Sequence, residues 1–245
     1  MNKTAAPAME KGGSRGAAIG RTLVLAMAVV MAIDGLLYAV LGIDGAIATI
    51  GRVFALTYPV VGGRAVLPLL AWAPGVFHAH AVATYTHVLL SPLALVTGPL
   101  QLWPGLRQRQ PRLHRWVGRL YVFAIGVGIP AGVYLGAYEG EGVVATMGFF
   151  GMGLTTITCT LLAWHAARAR DFVSHRAFML RSYVVLFTSN VGVRLLVLLL
   201  LPHLAPMPQG FREPYLVCVY LTWALGLLGA DVYLYLAQPR PAAKG

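Results

Sequence analysis

Charge is the scarcest property of this 245-residue chain: Asp, Glu, Lys and Arg make up 11% of it, where a soluble domain carries about a quarter. Only 8 residues are acidic. An ordinary water-facing surface is excluded on that ground. Cysteine is nearly missing as well. Cys159 and Cys218 stand alone inside apolar runs without a CxxC, which excludes a disulfide framework and reads as small packing residues. There is no glycine-rich phosphate loop and no HExxH, so neither a P-loop nucleotide site nor that zinc-protease chemistry has support. The intramembrane acids do not form the spaced Asp clusters that hold magnesium diphosphates. His78 and His80 supply two ligands, too few for a metal site on their own.

What is present is hydrophobic length. Apolar residues make up 58% of the chain and its mean hydropathy is +0.71. The chain has room for six spans of about 20–25 residues, each able to cross about 30 Å of hydrocarbon at about 1.5 Å per residue. They fall at about 22–43, 78–103, 116–138, 143–167, 177–201 and 214–238. The expected fold is therefore an all-α membrane protein, one domain over 21–238 in a bundle of about six transmembrane helices. The net charge of +11 does not point to nucleic acid, because the basic residues sit in short tracts between apolar runs. Fifteen of the nineteen lie in the tails or in 106–119 and 168–181, all on one side in this topology. The opposite loops hold Arg52, Arg64 and Arg212 with Asp44, Glu139, Glu141 and Glu213. Basic loops stay cytoplasmic, which sets N-in/C-in.

Residues 1–20 read as a disordered cytoplasmic tail and 239–245 as a second cytoplasmic tail. The run from Thr22 to Ile43 is too long for a signal-peptide core and lacks a small-x-small cleavage site, so it reads as an anchor. Segment 44–77 is too apolar for a loop, yet Arg52, Pro59, Gly62, Gly63, Arg64, Pro68 and Pro74 interrupt it. An outer interfacial or re-entrant segment is expected there.

An internal echo runs through the middle. Trp103 precedes His114-Arg115 by eleven residues, and Trp164 precedes His175-Arg176 by the same eleven. Each pair leads to a further Arg and Tyr, at Arg119 and Tyr121 or Arg181 and Tyr183. This suggests a parallel repeat of helices 2–3 and 4–5.

Polar residues at membrane depth form two groups. His80, Thr84, His87, Ser91, Ala94, Gly98 and Gln101 step by four and three along span two, one face that should look into the bundle. His87 lies about 14 Å from the outer surface by helical rise. Asp34, Asn190, Arg194 and Asp231 are costly at depth, and Asp34, His87 and Asn190 fall at similar levels with Arg194 nearer the outer side. The second group sits at the basic rim: His114, His165 and His175 with Arg115, Arg119, Arg176 and Arg181. Paired histidines on facing helices ligate b-type haem, with arginines for its propionates. The same groups suit an anionic headgroup or a phosphate. As topology determinants and interfacial anchors they need no ligand at all.

These residues resemble a bacterial family of predicted membrane proteins, the domain of unknown function 2306. Its members carry an early His in a helix ending GPLQ, then HRWxGRxY, HRxxMxRSY and a late Arg. Here these are His87, Gly98-Pro99-Leu100-Gln101, His114-Arg115-Trp116 with Gly118-Arg119 and Tyr121, His175-Arg176 with Met179 and Arg181-Ser182-Tyr183, and Arg194. The likeness spans about 78–200, and Ala177-Phe178 departs from it where a Trp is expected. It implies a polytopic protein of a bacterial cytoplasmic membrane and no established reaction. A looser likeness to cytochrome b561-type bundles implies at most one haem near the cytoplasmic face, because no second histidine opposes His87.

Three functional readings follow. The first is a redox protein holding one haem b or a quinone, with His114 and His175 as metal ligands if haem is bound, Arg119 and Arg181 as anion partners, and a redox partner protein. The second is a transporter or binding protein for a small anionic or amphipathic molecule, lined by His87, Gln101, Asn190 and Arg194. The third is a cofactor-free membrane enzyme with Asp34 and His87 as acid and base.

Overall fold

A computed structural model describes residues 9–57, 74–138, 142–193 and 212–237. Every regular element among them is helical: α1 (Met9–Thr57), α2 (Ala81–Leu102), α3 (Pro104–Arg109), α4 (Pro111–Gly136), α5 (Val143–Arg168), α6 (Phe172–Phe187) and α7 (Arg212–Leu236). Five described helices are long and apolar enough to cross a membrane: Thr22–Val53 within α1, α2, α4, α5 and Leu216–Leu236 within α7. At about 1.5 Å per residue the 26 residues of α4 reach about 39 Å, enough for the hydrocarbon and both borders. The remaining expected span, 177–201, is described to Val193 only.

The chain is an all-α membrane protein. Its large apolar side chains point outward: Leu221, Leu225, Leu228 and Val232 form an exposed stripe along α7, the pattern of a helix facing lipid. Small residues fill the crossings instead, where they let backbones approach. Gly128 and Gly132 of the G-x3-G-x3-G ridge meet Leu90 and His87 of α2, and Gly136 meets Phe149 of α5. Gly98 of α2 lies against the Tyr183 ring of α6, and Gly35 of α1 against Val88 and Pro92. The main core gathers Leu95, Tyr121, Ile125, Met179, Tyr183 and Leu186 from α2, α4 and α6.

The boundaries differ from expectation in three places. First, α1 begins at Met9, taking in residues 9–20 of the stretch expected to be a disordered tail. Second, α1 continues past Ile43 to Thr57, broken at Gly42 (φ 69°, ψ −178°). Only glycine enters that region readily, so the chain turns and starts a second helical limb inside 44–77. This limb packs Ile43, Ala46 and Ile47 against Tyr38 and Phe77, and His78 Nε2 donates to Asp44 Oδ1 at 2.9 Å. Residues 58–73 lie outside the described residues.

Third, α4 and α6 start five residues earlier than expected, which draws both HR pairs out of loops and into helices. Pro111 at the first helical position is pre-set for the α conformation. Asp171 caps α6 by accepting from the Ser174 N–H at 3.0 Å. His114 and His175 are thus each the fourth residue of their helix. The hairpins α2–α4 and α5–α6 turn at the same end of the bundle, where residues of both turns line one cavity.

Candidate functional site

Between the two turns lies a cavity of 930 Å³. Six arginines line it: Arg107, Arg115 and Arg119 from α3 and α4, and Arg168, Arg170 and Arg176 from the α5–α6 side. His114 and His175 face it from the first turns of α4 and α6, and Leu102, Val122, Trp164 and Met179 supply apolar wall. No carboxylate is among the lining residues. Asp171, the acid beside it, is committed to the α6 cap, and the hydrogen bonds from Ser174 hold its carboxyl below the usual carboxylate range.

The imidazoles differ in their surroundings. The His175 Nδ1–H donates to the Ala163 carbonyl at 2.9 Å, which fixes the ring and leaves Nε2 as the acceptor. His114 Nδ1 is buried with no hydrogen-bond partner in the described structure, and buried polar atoms are seldom left so. Both residues line the same cavity. Gln101, expected to line a path along α2, lines the cavity and donates from Nε2 to the His114 carbonyl at 3.0 Å. Its amide lies over Gly118, so the GPLQ and HRWxGRxY motifs meet in a single contact.

About two turns further along α4 and α6 from the histidines lies a chain of buried hydroxyls. Tyr121 of α4 and Ser182 of α6 are hydrogen-bonded at 2.7 Å. Ser182 also bonds Thr160 of α5 at 2.7 Å, and the Thr160 hydroxyl lies 2.8 Å from the Thr156 carbonyl. All three side chains are at most 1% exposed. The Tyr183 hydroxyl donates to the Leu95 carbonyl at 3.3 Å.

Arg119 lines the cavity with its guanidinium over the Trp116 ring at 5.0 Å. Arg181 does not line it. Its Nε donates to Asp231 Oδ1 of α7 at 2.6 Å, and its guanidinium sits over Phe178 at 5.5 Å. The expected equivalence of Arg119 and Arg181 therefore does not hold. Five residues separate His114 from Arg119 and six separate His175 from Arg181. One extra residue turns a side chain by about 100° around a helix, away from the cavity and toward α7.

The deeper group is also dispersed. The His87 Nδ1–H donates to the Gly128 carbonyl at 2.9 Å, with Ser91 Oγ 3.1 Å from the same nitrogen. That arrangement seats His87 in the α2–α4 packing, outside the cavity. Asn190 donates to the Leu186 carbonyl at 2.9 Å within a π-helical turn, Thr188–Gly192. Asp34 sits half-buried on α1 beside Gly35, and Arg194 lies outside the described residues.

By sequence, Arg107, Arg168 and Arg170 read only as topology determinants of the basic tracts 106–119 and 168–181. A usable signal was their place in the two short turns that flank the HR pairs. Arg170 stands at φ 61° because it closes the C-terminus of α5: the Asp171 N–H donates to the Ala166 carbonyl at 2.9 Å and the Arg170 N–H to the Ala167 carbonyl at 3.2 Å, a left-handed helix end that costs a non-glycine residue about 1–2 kcal/mol.

The family model of predicted membrane proteins DUF2306 matches residues 84–234, more than half of the chain, and the chain belongs to that family. The match takes in α2's polar stripe from Thr84, both HR pairs and Asp231. No curated protein and no solved structure matches the chain.

Proposed function

We propose that this member of the DUF2306 family binds an amphipathic anion in the cavity at its basic end. One observation carries the reading: six arginines and two histidines line an apolar-walled cavity with no carboxylate among its lining. Unpaired like charges repel unless a counter-charge joins them, and the apolar wall favours a ligand with a hydrophobic body. By the positive-inside rule this end faces the cytoplasm, in keeping with a multi-pass protein of a bacterial inner membrane.

The test compares amphiphiles of one chain length carrying anionic or neutral head groups, added to the detergent-purified protein. The anionic compound should raise the unfolding temperature, since binding to the folded state alone stabilises it. Arg115→Gln/Arg176→Gln should lose that response. Equal shifts from both head groups would refute charge recognition.

A second reading is favoured by the imidazoles. Haem b is itself an amphipathic dianion, and His114 and His175 approach one cavity from facing helices. An Nδ1–H donated to a backbone carbonyl, as His175 has, is the usual support of a metal-bound imidazole. In this reading the arginines, Arg119 among them, hold the propionates, and the protein passes electrons to a redox partner. A quinone has weaker support, because its neutral head leaves the guanidiniums unanswered. The absorbance spectrum decides: a Soret band with sharp reduced α/β bands, lost in His114→Ala and His175→Ala, is the haem signature. Colourless protein from haem-replete cells would end this reading.

A further inference from the structure

The anion can be narrowed, on the strength of the binding reading above. We infer that the cavity takes the head group of a lipid bearing a phosphate monoester. A carboxylate offers one charge and two oxygens, which a single bidentate arginine satisfies. The cavity presents arginines on two opposing banks, Arg107 and Arg115 on one and Arg168 and Arg176 on the other. A phosphate monoester carries about −1.5 to −2 charge and three terminal oxygens, so it can accept from both banks at once.

Two helix N-termini converge on the same space, since Pro111 and Phe172, the first residues of α4 and α6, line it. The N–H groups and dipole of α4, which no side chain caps, favour an anion there. Asp171 caps α6, whereas α4 has no side-chain cap. The buried, unpartnered His114 Nδ1 one turn further in is a second polar group without a partner.

Depth selects a lipid over free phosphate. Trp103, Trp116 and Trp164 are exposed around this end, the belt that tryptophan forms at head-group level. Basic pockets between helices at that level recognise lipid head groups. The acyl chain would run along the apolar wall of Leu102, Val122 and Met179.

The test titrates the full-length protein in neutral detergent with phosphatidic acid, phosphatidylglycerol or oleate, read by native mass spectrometry, with inorganic phosphate as competitor. Phosphatidic acid should bind at least about tenfold tighter than the phosphodiester or the carboxylate, the difference expected from one charge-assisted hydrogen bond. Arg115→Gln/Arg176→Gln should weaken it by about ten- to hundred-fold. Arg109→Gln, exposed and outside the lining, should change it less than about twofold and reports on the fold. Oleate or phosphatidylglycerol binding as tightly as phosphatidic acid would overturn the phosphate assignment and leave the anion reading intact. Inorganic phosphate binding as tightly as the lipid would overturn the lipid assignment. If none of the four binds, both fall.

Discussion

Replacing Ser182 by alanine should cost more than replacing Tyr121 by phenylalanine, and the double variant should cost less than the two combined. Ser182 is the shared member of the buried chain, 2.7 Å from both the Tyr121 and the Thr160 hydroxyls. Tyr121→Phe removes one bond and strands nothing, because Ser182 keeps Thr160. Ser182→Ala leaves the Tyr121 hydroxyl without that partner at 0% exposure, while Thr160 still has the Thr156 carbonyl at 2.8 Å. Hydrogen bonds between membrane helices average about 0.6 kcal/mol and reach about 1.7. Full burial and short O···O distances put this pair in the upper part of that range. Tyr121→Phe should therefore cost about 1 kcal/mol and Ser182→Ala about 2, since a stranded group adds its desolvation penalty.

The double variant removes donor and acceptor together, so it should cost about 2 rather than the additive 3 kcal/mol. The coupling of about 1 kcal/mol is the quantity to measure, by equilibrium unfolding of all four proteins in mixed micelles with increasing dodecyl sulfate. Coupling below about 0.3 kcal/mol, within the error of additive sites, would refute the account of these hydroxyls as a clamp between α4 and α6.

Four further outcomes are expected. Gly98→Ala should cost about 1–3 kcal/mol by overpacking, because its new methyl meets the Tyr183 ring; Gly126→Ala, with nothing within 4 Å, should be neutral or slightly stabilising in the same unfolding assay. Arg170→Gly should relieve the left-handed backbone and raise stability by up to about 1 kcal/mol, while anion binding weakens; unchanged binding would remove Arg170 from the site. The Asp171 carboxylate should support α6 above the ordinary carboxylate range. Its contribution should fade as pH falls through its lowered titration, a dependence that Asp171→Asn, which still caps, should abolish in a pH series of unfolding midpoints. Cys159 and Cys218, both buried, should resist maleimide until the protein unfolds, and rapid labelling of the native protein would contradict their packing.

Much of this architecture was legible in the sequence because lipid leaves few alternatives. Uninterrupted apolar length and the one-sided basic tracts suffice to assign helices, and five described spans bear that out. Helix starts were harder. Hydropathy begins a span where charge ends, so 116 and 177 were natural choices. The backbone instead obeys Pro111 and Asp171, which start helices among charged residues. Of the rim residues singled out in the sequence, His114, His175 and Arg119 line one cavity, because each lies in the first turns of a helix that starts earlier than hydropathy suggests. Arg181 was misplaced because motif similarity preserves residue types while one inserted residue changes the face. Segment 44–57 was obscured by Gly42, whose positive φ no composition reveals.

The one-residue difference between the two HR segments also sets which side chains meet. Counting seven residues from each histidine reaches Tyr121 in the first copy and Ser182, not Tyr183, in the second. Seven residues are close to two helical turns, so these two side chains lie under the two imidazoles on the facing surfaces of α4 and α6, and they are the pair that hydrogen-bonds. The displaced residues take new partners: Tyr183 swings to Gly98 and the Leu95 carbonyl of α2, and Arg181 to Asp231 of α7. Equal spacing would have turned Arg181 toward the cavity as a seventh arginine and left α7 without its ion pair. The single-residue offset keeps the histidines matched at the mouth while the second copy recruits α2 and α7. Restoring the symmetric spacing by deleting one residue between Met179 and Arg181 should therefore loosen α7 more than it disturbs the cavity's histidines.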